Sequence, residues 1–383
     1  MQRWKRRLGL LLVTTSFIAC ASDDDEETPT VDVTAVTYNL GLAVGFVPAA
    51  EARTDVTPQE MASLGADILC LQEVWLPDQV AAVQAATTAY PTQIYAEADP
   101  GVMGPAACTD ADTQPLLDCA VGAGCDQVCS DDLVSCVLDA CLAEFGALPP
   151  ECSTCVQANV GKSLPDIEAS CESASTEFAF GGSFGLGLLS RYPVTEQDEL
   201  VFDSTTNRRA TLYALLDTPH GPVHTFCTHL TAVFDTIPYP RATGSWEEEQ
   251  AAQVAALLEF VDEKAGSDGQ VLVLGDMNTG PAGPGYVAEA PDNYAPFLVA
   301  GLTNPYVDTP GHTCTFCEDN PLLGNDDDES VVIDHVFLRN LEGATTASRV
   351  LDGEIQVEVC DETGPSALSD HYGVSVTISR PAP

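Results

Sequence analysis

The amino-acid sequence predicts an α/β fold in which short strands alternate with helices, interrupted by one cysteine-rich segment. Apolar runs of strand length, rich in valine, leucine and threonine, recur along the chain. Capping signals and helically spaced apolar residues separate several of these runs. Nine of the 15 cysteines lie between Cys108 and Cys171, where the strand pattern stops. These three observations place a separate cysteine-rich insertion inside an α/β domain.

The N-terminus has the pattern of an export signal. Four of the fourteen basic residues fall within the first seven positions, and a mostly apolar run from Leu8 to Ala19 follows. This run is too short for a comfortable membrane span, so residues 1–20 are predicted to be a signal peptide. Its Phe-Ile-Ala-Cys ending is similar to a bacterial lipoprotein cleavage box, which makes Cys20 the expected lipidation site. Ordinary secretion and an uncleaved anchor are the alternatives, because Phe17 and Ile18 replace the usual small residues.

The rest of the chain is strongly acidic. Residues 21–30 are predicted to be an acidic tether, and residues 31–383 to be the folded domain. The formal net charge is −44, with 58 acidic residues against 14 basic ones. Such a field repels nucleic-acid backbones, since Lys and Arg supply most of the affinity for phosphates. It argues against tight DNA binding without excluding a nuclease, because a bound cation changes the local field. Solubility in salty surroundings is the alternative explanation.

The elements of the domain follow in order. The first strand is predicted at 31–39, where VDVTAVTYN alternates. A capping box beginning at Thr57 predicts a short helix that ends at Gly65. A second capping box beginning at Ser245 starts the clearest amphipathic helix of the chain. Further strands are predicted at 67–72, 187–189, 211–216, 223–227, 270–274, 332–338 and 373–378.

The cysteine-rich segment 104–176 is predicted to be a mainly helical insertion held by disulfides. Export favours bridges, and the segment lacks histidine, which argues against the alternative of a zinc module. Nine cysteines cannot all pair with one another, so at least one is expected to bond outside the cluster. Cys70 and Cys227 lie in apolar strand-like runs and are expected to be buried free thiols.

Polar residues suited to phosphate-ester chemistry stand at or near the ends of predicted strands. They are Asn39, Glu73, His229, Asp276, Asn278, Asp334, Asp370 and His371. Hydrolysis of a phosphate ester needs a hard cation, a base for water and donors for the phosphoryl oxygens. Carboxylates suit magnesium, which prefers oxygen ligands. Each residue alone is weak evidence, and their joint occurrence indicates a catalytic site.

Seven segments, in order, resemble the motifs of the endonuclease/exonuclease/phosphatase superfamily, also called deoxyribonuclease I-like. They are TYNLG, LQEVW, GLGLLSRYPV, THLTA, GDMNTGP, IDHVF and LSDHYG. The resemblance extends from about Val31 to Ile378, on both sides of the insertion. It implies a four-layer α/β/β/α sandwich of two mostly antiparallel sheets, with the active site at one edge. It also implies hydrolysis of a phosphodiester that depends on Mg²⁺ or Mn²⁺.

The resemblance assigns metal and phosphate contacts to particular positions. Glu73 is the expected principal metal ligand. Asp370 is expected to orient His371 or to reach a second metal. Asn39 and Asn278 are expected to contact the metal or the substrate phosphate.

Catalytic roles follow from the same resemblance. Asp276 is expected to prepare the attacking water, while Asp334 and His229 support the transition state. His371 is expected to act as a base or to contact the phosphate. No motif position is lost, and His335, where many members have an aromatic residue, is expected to be a harmless substitution, so the resemblance implies an active enzyme.

The substrate is less well specified, because this fold hosts many phosphoesterases. The run CTHLTA, followed by a long segment and a glutamine-containing helix, is most similar to the neutral sphingomyelinase branch. An acidic, tethered chain also suits a zwitterionic lipid headgroup better than DNA. A secreted endonuclease or exonuclease is the alternative, followed by a phosphomonoesterase. A non-catalytic adhesive or binding module is the alternative of another class.

The same reasoning gives expectations about location and partners. We expect a bacterial protein of the cell envelope, anchored to a membrane through lipidated Cys20, or a secreted one. The chain is expected to be a monomer. Arg208 and Arg209 form the one adjacent basic pair of the exported part, and the pair either reaches a substrate phosphate or is solvated.

Overall fold

A computed structural model describes residues 29–101, 104–128, 133–234, 237–323, 329–359 and 362–382. The predicted signal peptide, Cys20 and nearly all of the acidic tether lie outside these residues. The strands β1 to β13 are Thr30–Asn39, Ile68–Gln72, Thr92–Tyr95, Gly187–Ser190, Val194–Val201, Ala210–Thr218, Gly221–His229, Gln270–Asp276, Asp334–Arg339, Ala344–Val350, Glu354–Val359, Glu362–Ala367 and Gly373–Pro381. The helices α1 to α10 are Ala50–Arg53, Thr57–Ser63, Pro77–Ala86, Asp110–Ala123, Leu133–Gly146, Pro150–Ala158, Leu164–Ser173, Trp246–Ala265, Pro291–Val299 and Pro305–Asp308.

The strands form two large mixed sheets and one small hairpin. The six-stranded sheet has the order β10-β13-β1-β2-β4-β3, and the five-stranded sheet has the order β5-β6-β7-β8-β9. Each large sheet contains one parallel pair, β1 with β2 and β7 with β8, and its other pairs are antiparallel. Strands β11 and β12 pair separately. The prediction of two mostly antiparallel sheets is confirmed.

Three apolar clusters define the four layers. The inner cluster joins facing residues of the two sheets, such as Ile68 and Leu274. Helix α8 and helix α9 cover the outer face of the five-stranded sheet. On the other side, Met61 of α2 and Val83 of α3 pack on the outer face of the six-stranded sheet. The chain therefore folds as an α/β/β/α sandwich.

Two helix starts show how far local signals decide structure. Ser245 accepts a hydrogen bond from the Glu248 N–H at 3.2 Å and caps α8, as its capping box predicts. The capping box predicted at Thr57 is wrong. The Thr57 hydroxyl donates to the Leu368 carbonyl at 2.7 Å, and α2 begins without a side-chain cap. A distant buried carbonyl competes successfully for that hydroxyl.

The expectation that Cys70 and Cys227 are free thiols is also wrong. The two residues form a disulfide that joins β2 to β7, with 5.3 Å between their Cα atoms. Both side chains lie in the inner cluster, where the two sheets face each other. The apolar runs predict that each cysteine is buried in a strand, but they do not say which residues meet across the sandwich.

Within its described residues, the insertion contains four helices, α4 to α7, and its own small apolar cluster. Four bridges join its cysteines: Cys108–Cys152, Cys119–Cys141, Cys125–Cys136 and Cys155–Cys171. A further bridge, Cys314–Cys317, closes a short loop of the sandwich. The ninth cysteine of the cluster, Cys129, and Cys360 lie outside the described residues. Within the described ranges, no helix is long and apolar enough to cross a bilayer.

Candidate active site

The two parallel strand pairs bring the predicted site residues to one edge of the sandwich. Neighbouring parallel strands end at the same edge of a sheet. Asn39 ends β1 opposite Gln72, the last residue of β2, and Glu73 follows directly. In the other sheet, His229 ends β7 opposite Asp276, which ends β8.

Antiparallel strand pairs bring the remaining site residues to the same edge. Asp334 begins β9 and pairs with Asp276, so two aspartates stand side by side. Asp370 and His371 immediately precede β13, which pairs with β1. The fold therefore brings together residues that are more than 300 positions apart in the chain.

Asp276 lies at the centre of this cluster. Its Oδ2 atom accepts a hydrogen bond from Asn39 Nδ2 at 2.9 Å and lies 3.4 Å from His229 Nε2. The same oxygen is 3.8 Å from His371 Nε2. Its Oδ1 atom accepts from the backbone N–H of Asn278 at 2.9 Å. One buried carboxylate is thus held between two imidazoles.

Asp334, rather than Asp370, orients His371. Asp334 Oδ2 lies 2.9 Å from His371 Nδ1, which fixes the ring and leaves Nε2 facing Asp276. Asp370 Oδ1 accepts instead from the Ser369 hydroxyl at 3.0 Å. The resemblance implies Asp370 as one possible partner of His371, and the sheet pairing supplies a different one.

Glu73 occupies a distinct part of the edge. Its backbone has φ of 59°, a left-handed conformation that is uncommon for a residue with a side chain. Its Oε2 atom is buried and has no hydrogen-bond partner among the described residues. Burial, and then the Asp370 carboxylate, raise the pKa of Glu73. Gly41 leaves room for the Asp370 carboxylate, since a Cβ there would lie 2.1 Å from Asp370 Oδ1.

Asn278 supports the β7 end of the site. Its side-chain Nδ2 donates to the Leu230 carbonyl at 2.9 Å. Gln250 of α8 donates to the carbonyls of both Thr231 and Asn278, at 2.8 and 2.7 Å. The loops that follow β7 and β8 are therefore tied together by one buried amide.

A buried arginine lies beside the candidate site, and the sequence left open whether it reaches a substrate phosphate or is solvated. Arg209 is only 4% exposed, and its Nη1 atom has no hydrogen-bond partner within the described parts of the chain. Glu73 and Asp276 lie close enough to act on its charge. Arg208 instead forms a 2.6 Å ion pair with Asp99. The two members of the basic pair thus have different environments.

The surroundings of the two imidazoles shift their pKa values in opposite directions. Burial, and then the positive charges of Arg209 and His371, lower the pKa of His229 well below its usual range. Burial opposes the charging of His371, but the Asp334 and Asp276 carboxylates outweigh it and raise its pKa well above the usual range. Burial, and then Asp334, raise the pKa of Asp276 to about 7. The site thus combines a neutral imidazole, a cationic imidazole and a carboxylate able to accept a proton near neutrality.

Two groups of ligand atoms fit a divalent cation. Glu73 and Asp370 offer carboxylate oxygens, and the buried, unpartnered Oε2 of Glu73 suits a hard cation. Asp276, Asp334 and His371 also offer ligand atoms within 4.8 Å of one another. In the second group, His371 Nδ1 already contacts Asp334, whereas the first group has only oxygen donors. Both groups contain a buried oxygen without a hydrogen-bond partner among the described residues, Glu73 Oε2 and Asp334 Oδ1, so only the all-oxygen donor set favours the first group.

The family model decides the relationship of this site to known proteins. The sequence model of the Endonuclease/Exonuclease/phosphatase family matches residues 36–371, a range that contains every site residue described above. This chain belongs to that family. As a family member, it combines the expected motif residues at one edge of the family's sandwich. No curated protein sequence matches the chain.

Solved structures share the fold of this family member. Sphingomyelinase C from Streptomyces griseocarneus matches with 16% identity and a TM-score of 0.56, covering 91% of this chain and 99% of its own. A double mutant of beta toxin from Staphylococcus aureus, with bound magnesium ions, has 14% identity and a TM-score of 0.56, covering 90% and 99%. TDP2 from Caenorhabditis elegans has 12% identity and a TM-score of 0.52, covering 91% and 75%.

Proposed function

We propose that this protein is an exported phosphodiesterase that depends on Mg²⁺ or Mn²⁺ and hydrolyses a lipid headgroup of the sphingomyelin type. Membership of the family supports a hydrolase of phosphate esters. The observation that carries the proposal is the buried Asp276 carboxylate between two imidazoles, beside the unpartnered Glu73 oxygen.

The proposed mechanism divides the work among these side chains. Asp276 accepts a proton from the water that attacks phosphorus, since its raised pKa lets it act near neutral pH. The bond from phosphorus to the ester oxygen of the leaving alcohol breaks in the same step, and that oxygen takes a proton from solvent. His371, held by Asp334, donates to a phosphoryl oxygen as negative charge develops. His229 supports the same transition state from the other side of Asp276.

The remaining site residues bind the cation and the substrate phosphate or fix the groups that do the chemistry. Glu73 and Asp370 hold the cation, which when bound supplies positive charge to the phosphoryl group. Asn39 fixes Asp276, and Asn278 fixes the neighbouring loop through Leu230. The Arg209 guanidinium, whose Nη1 is unpartnered among the described residues, donates to a phosphate oxygen.

The lipid substrate rests on two supports. The shared fold includes Sphingomyelinase C, and a chain with a net charge of −44 disfavours long polyanions. The second candidate is a secreted endonuclease or exonuclease, activities that the family description names beside phosphatase. A non-catalytic binding module is the candidate of another class, and the pairing of Asp276 with two imidazoles argues against it.

A panel of substrates tests the proposal. Purified protein is stripped with EDTA, reloaded with Mg²⁺, and assayed on sphingomyelin, plasmid DNA and inositol phosphates. We expect cation-dependent release of phosphocholine, with little DNA cleavage. Predominant DNA cleavage would favour the nuclease. If no ester is hydrolysed with Mg²⁺ or with Mn²⁺, the non-catalytic binding module is the remaining candidate function.

We also propose that the signal peptide is cleaved directly before Cys20, which then carries a lipid anchor. The support is the sequence alone, through its basic start, apolar run and Phe-Ile-Ala-Cys ending. Labelled fatty acid should enter the wild-type chain during expression in bacteria, and Cys20→Ser should abolish incorporation. Labelling that persists in Cys20→Ser would exclude this anchor.

A further inference from the structure

The segment Cys314–Cys317, which a disulfide closes, has no part in the mechanism above. It nevertheless lies in space between two site residues, Asp334 and His371. The bridge joins cysteines three positions apart, in the connection between α10 and β9. Cys317 is fully buried, and so is Thr315 inside the closed loop. Buried residues in a short connecting loop call for an explanation, because such loops are normally exposed.

Thr315 holds the chain segment that leads into β9. Its hydroxyl oxygen accepts from the backbone N–H groups of Ile333 and Asp334, at 3.1 and 3.2 Å. Its own N–H donates to the Val331 carbonyl at 2.9 Å. The start of β9, where Asp334 stands, is thereby anchored to the closed loop.

The other side of the loop contacts His371. The backbone N–H of Tyr372 donates to the Thr315 carbonyl at 2.7 Å. The backbones of Phe316 and His371 pair as an isolated antiparallel β-bridge. Their two rings pack edge to face, with centroids 5.1 Å apart. The loop thus contacts both partners of the hydrogen bond between Asp334 Oδ2 and His371 Nδ1.

The bridge restricts the backbone of this loop. Closing four residues by a disulfide removes many conformations in which Thr315 and Phe316 would leave their contacts. Arg349 of β10 adds a further restraint by donating to the Cys314 carbonyl at 3.3 Å. We propose that the Cys314–Cys317 loop positions the Asp334–His371 pair for hydrolysis, with Thr315 as the positioning residue. The proposal rests on the proposed function, because it assigns the pair a catalytic task.

Two substitutions at Thr315 test the contact in the full chain. Thr315→Val keeps the shape but removes the acceptor, and Thr315→Ser keeps the hydroxyl. We expect Thr315→Val to lower kcat about tenfold with KM unchanged, as for other groups that support a site residue. Thr315→Ser should stay within about twofold of wild type, since it restores the hydrogen bonds.

The bridge is tested by Cys314→Ser with Cys317→Ser, and the matched control is Cys125→Ser with Cys136→Ser in the insertion. Only the first double variant should lower kcat, by about tenfold. This pair also carries the test if Thr315→Val does not fold. Unchanged kcat in the folded Cys314/Cys317 variant, or equal losses in the two double variants, would overturn the proposal.

A readout without turnover separates this proposal from the proposed function. In ¹⁵N-histidine-labelled protein, the Nδ1 proton of His371 should give a hydrogen-bonded NMR signal, assigned by its loss in His371→Gln. Thr315→Val should broaden or remove that signal, and Thr315→Ser should retain it. If wild type hydrolyses no ester, the proposed function fails, while this signal still decides whether Thr315 positions the pair. A signal unchanged in Thr315→Val would overturn the positioning role.

Discussion

The surroundings of Asp276 and those of Glu73 differ in how completely the protein bonds their oxygens. Asp276 accepts from Asn39 and from the Asn278 backbone, and two imidazoles face it. Glu73 has a buried oxygen with no hydrogen-bond partner within the described residues. Arg209 beside it has a buried nitrogen that likewise lacks a partner there. The protein therefore bonds both oxygens of Asp276 by itself, although His229 Nδ1 and Asp334 Oδ1 beside it lack partners among the described residues. The Glu73 region instead offers its unpartnered oxygen and nitrogen to a cation and an anionic substrate that come from outside.

The largest expected effect comes from removing the charge of Glu73. Glu73→Gln should reduce kcat/KM by at least about 10⁴-fold, because the cation supplies several kcal/mol of transition-state stabilisation. Calorimetric titration with Mg²⁺ should show that cation binding is lost as well. The exposed Glu51→Gln, which removes the same charge elsewhere, is the control and should leave both unchanged. Full activity of Glu73→Gln, or of wild type in EDTA, would refute the cation assignment.

A smaller effect is expected in the region that the protein bonds by itself. Asp334→Asn keeps the size of the side chain but removes the charge that supports His371. We expect kcat to fall by about 10²-fold, the lower end for a proton-transfer or donor group. Mg²⁺ affinity should remain near the wild-type value. A loss of affinity as large as that in Glu73→Gln would place the cation among Asp276, Asp334 and His371 instead.

Arg209 tests whether the Glu73 region also binds the phosphate. Arg209→Lys retains the positive charge but loses the planar fork of donors. We expect KM to rise about tenfold, which corresponds to the loss of one charge-assisted hydrogen bond. Arg208→Lys, the adjacent residue paired with Asp99, is the matched control and should change KM little. Equal effects of the two substitutions would show that Arg209 has no special role in binding.

The smallest expected effect is that of salt. One cation and one arginine supply most of the positive charge at the site, so few counterions are released on binding. The KM for a single-headgroup substrate should change by less than about twofold between low and moderate salt. The assay compares sphingomyelin and DNA cleavage over a salt series at fixed Mg²⁺. Rapid DNA cleavage that falls steeply with salt, without lipid turnover, would indicate a nuclease.

The sequence allowed the location of the site to be predicted, because strand ends can be read from local pattern. Asn39, His229 and Asp276 are the last residues of their strands in the structure. The pairing of parallel strands then places those ends at one edge. The helical, disulfide-bonded character of the insertion was likewise predictable, since its cysteines are dense and its strand pattern absent.

Relations across the sandwich were not predictable from spacing. The partner of His371 is Asp334, which strand pairing brings close, although Asp370 is its neighbour in sequence. The burial of Arg209 beside Glu73 depends on how the two sheets face each other. Likewise, the Thr57 hydroxyl bonds Leu368, which lies 311 positions away. In each case the deciding contact joins elements whose mutual placement no local pattern specifies.

The Cys70–Cys227 bridge has a consequence for how the chain matures. All four described bridges of the insertion lie between the two cysteines that it joins, across a separation of 157 residues. A growing chain therefore presents Cys70 with many wrong partners before Cys227 has been synthesised. The separations within the insertion are 11 to 44 residues, and short loops close more readily. Early local pairing in the insertion keeps those thiols away from Cys70. The Cys70–Cys227 bond, which then forms later, links the two sheets covalently. It adds about 5 kcal/mol to the free energy of unfolding, because it restricts the unfolded chain.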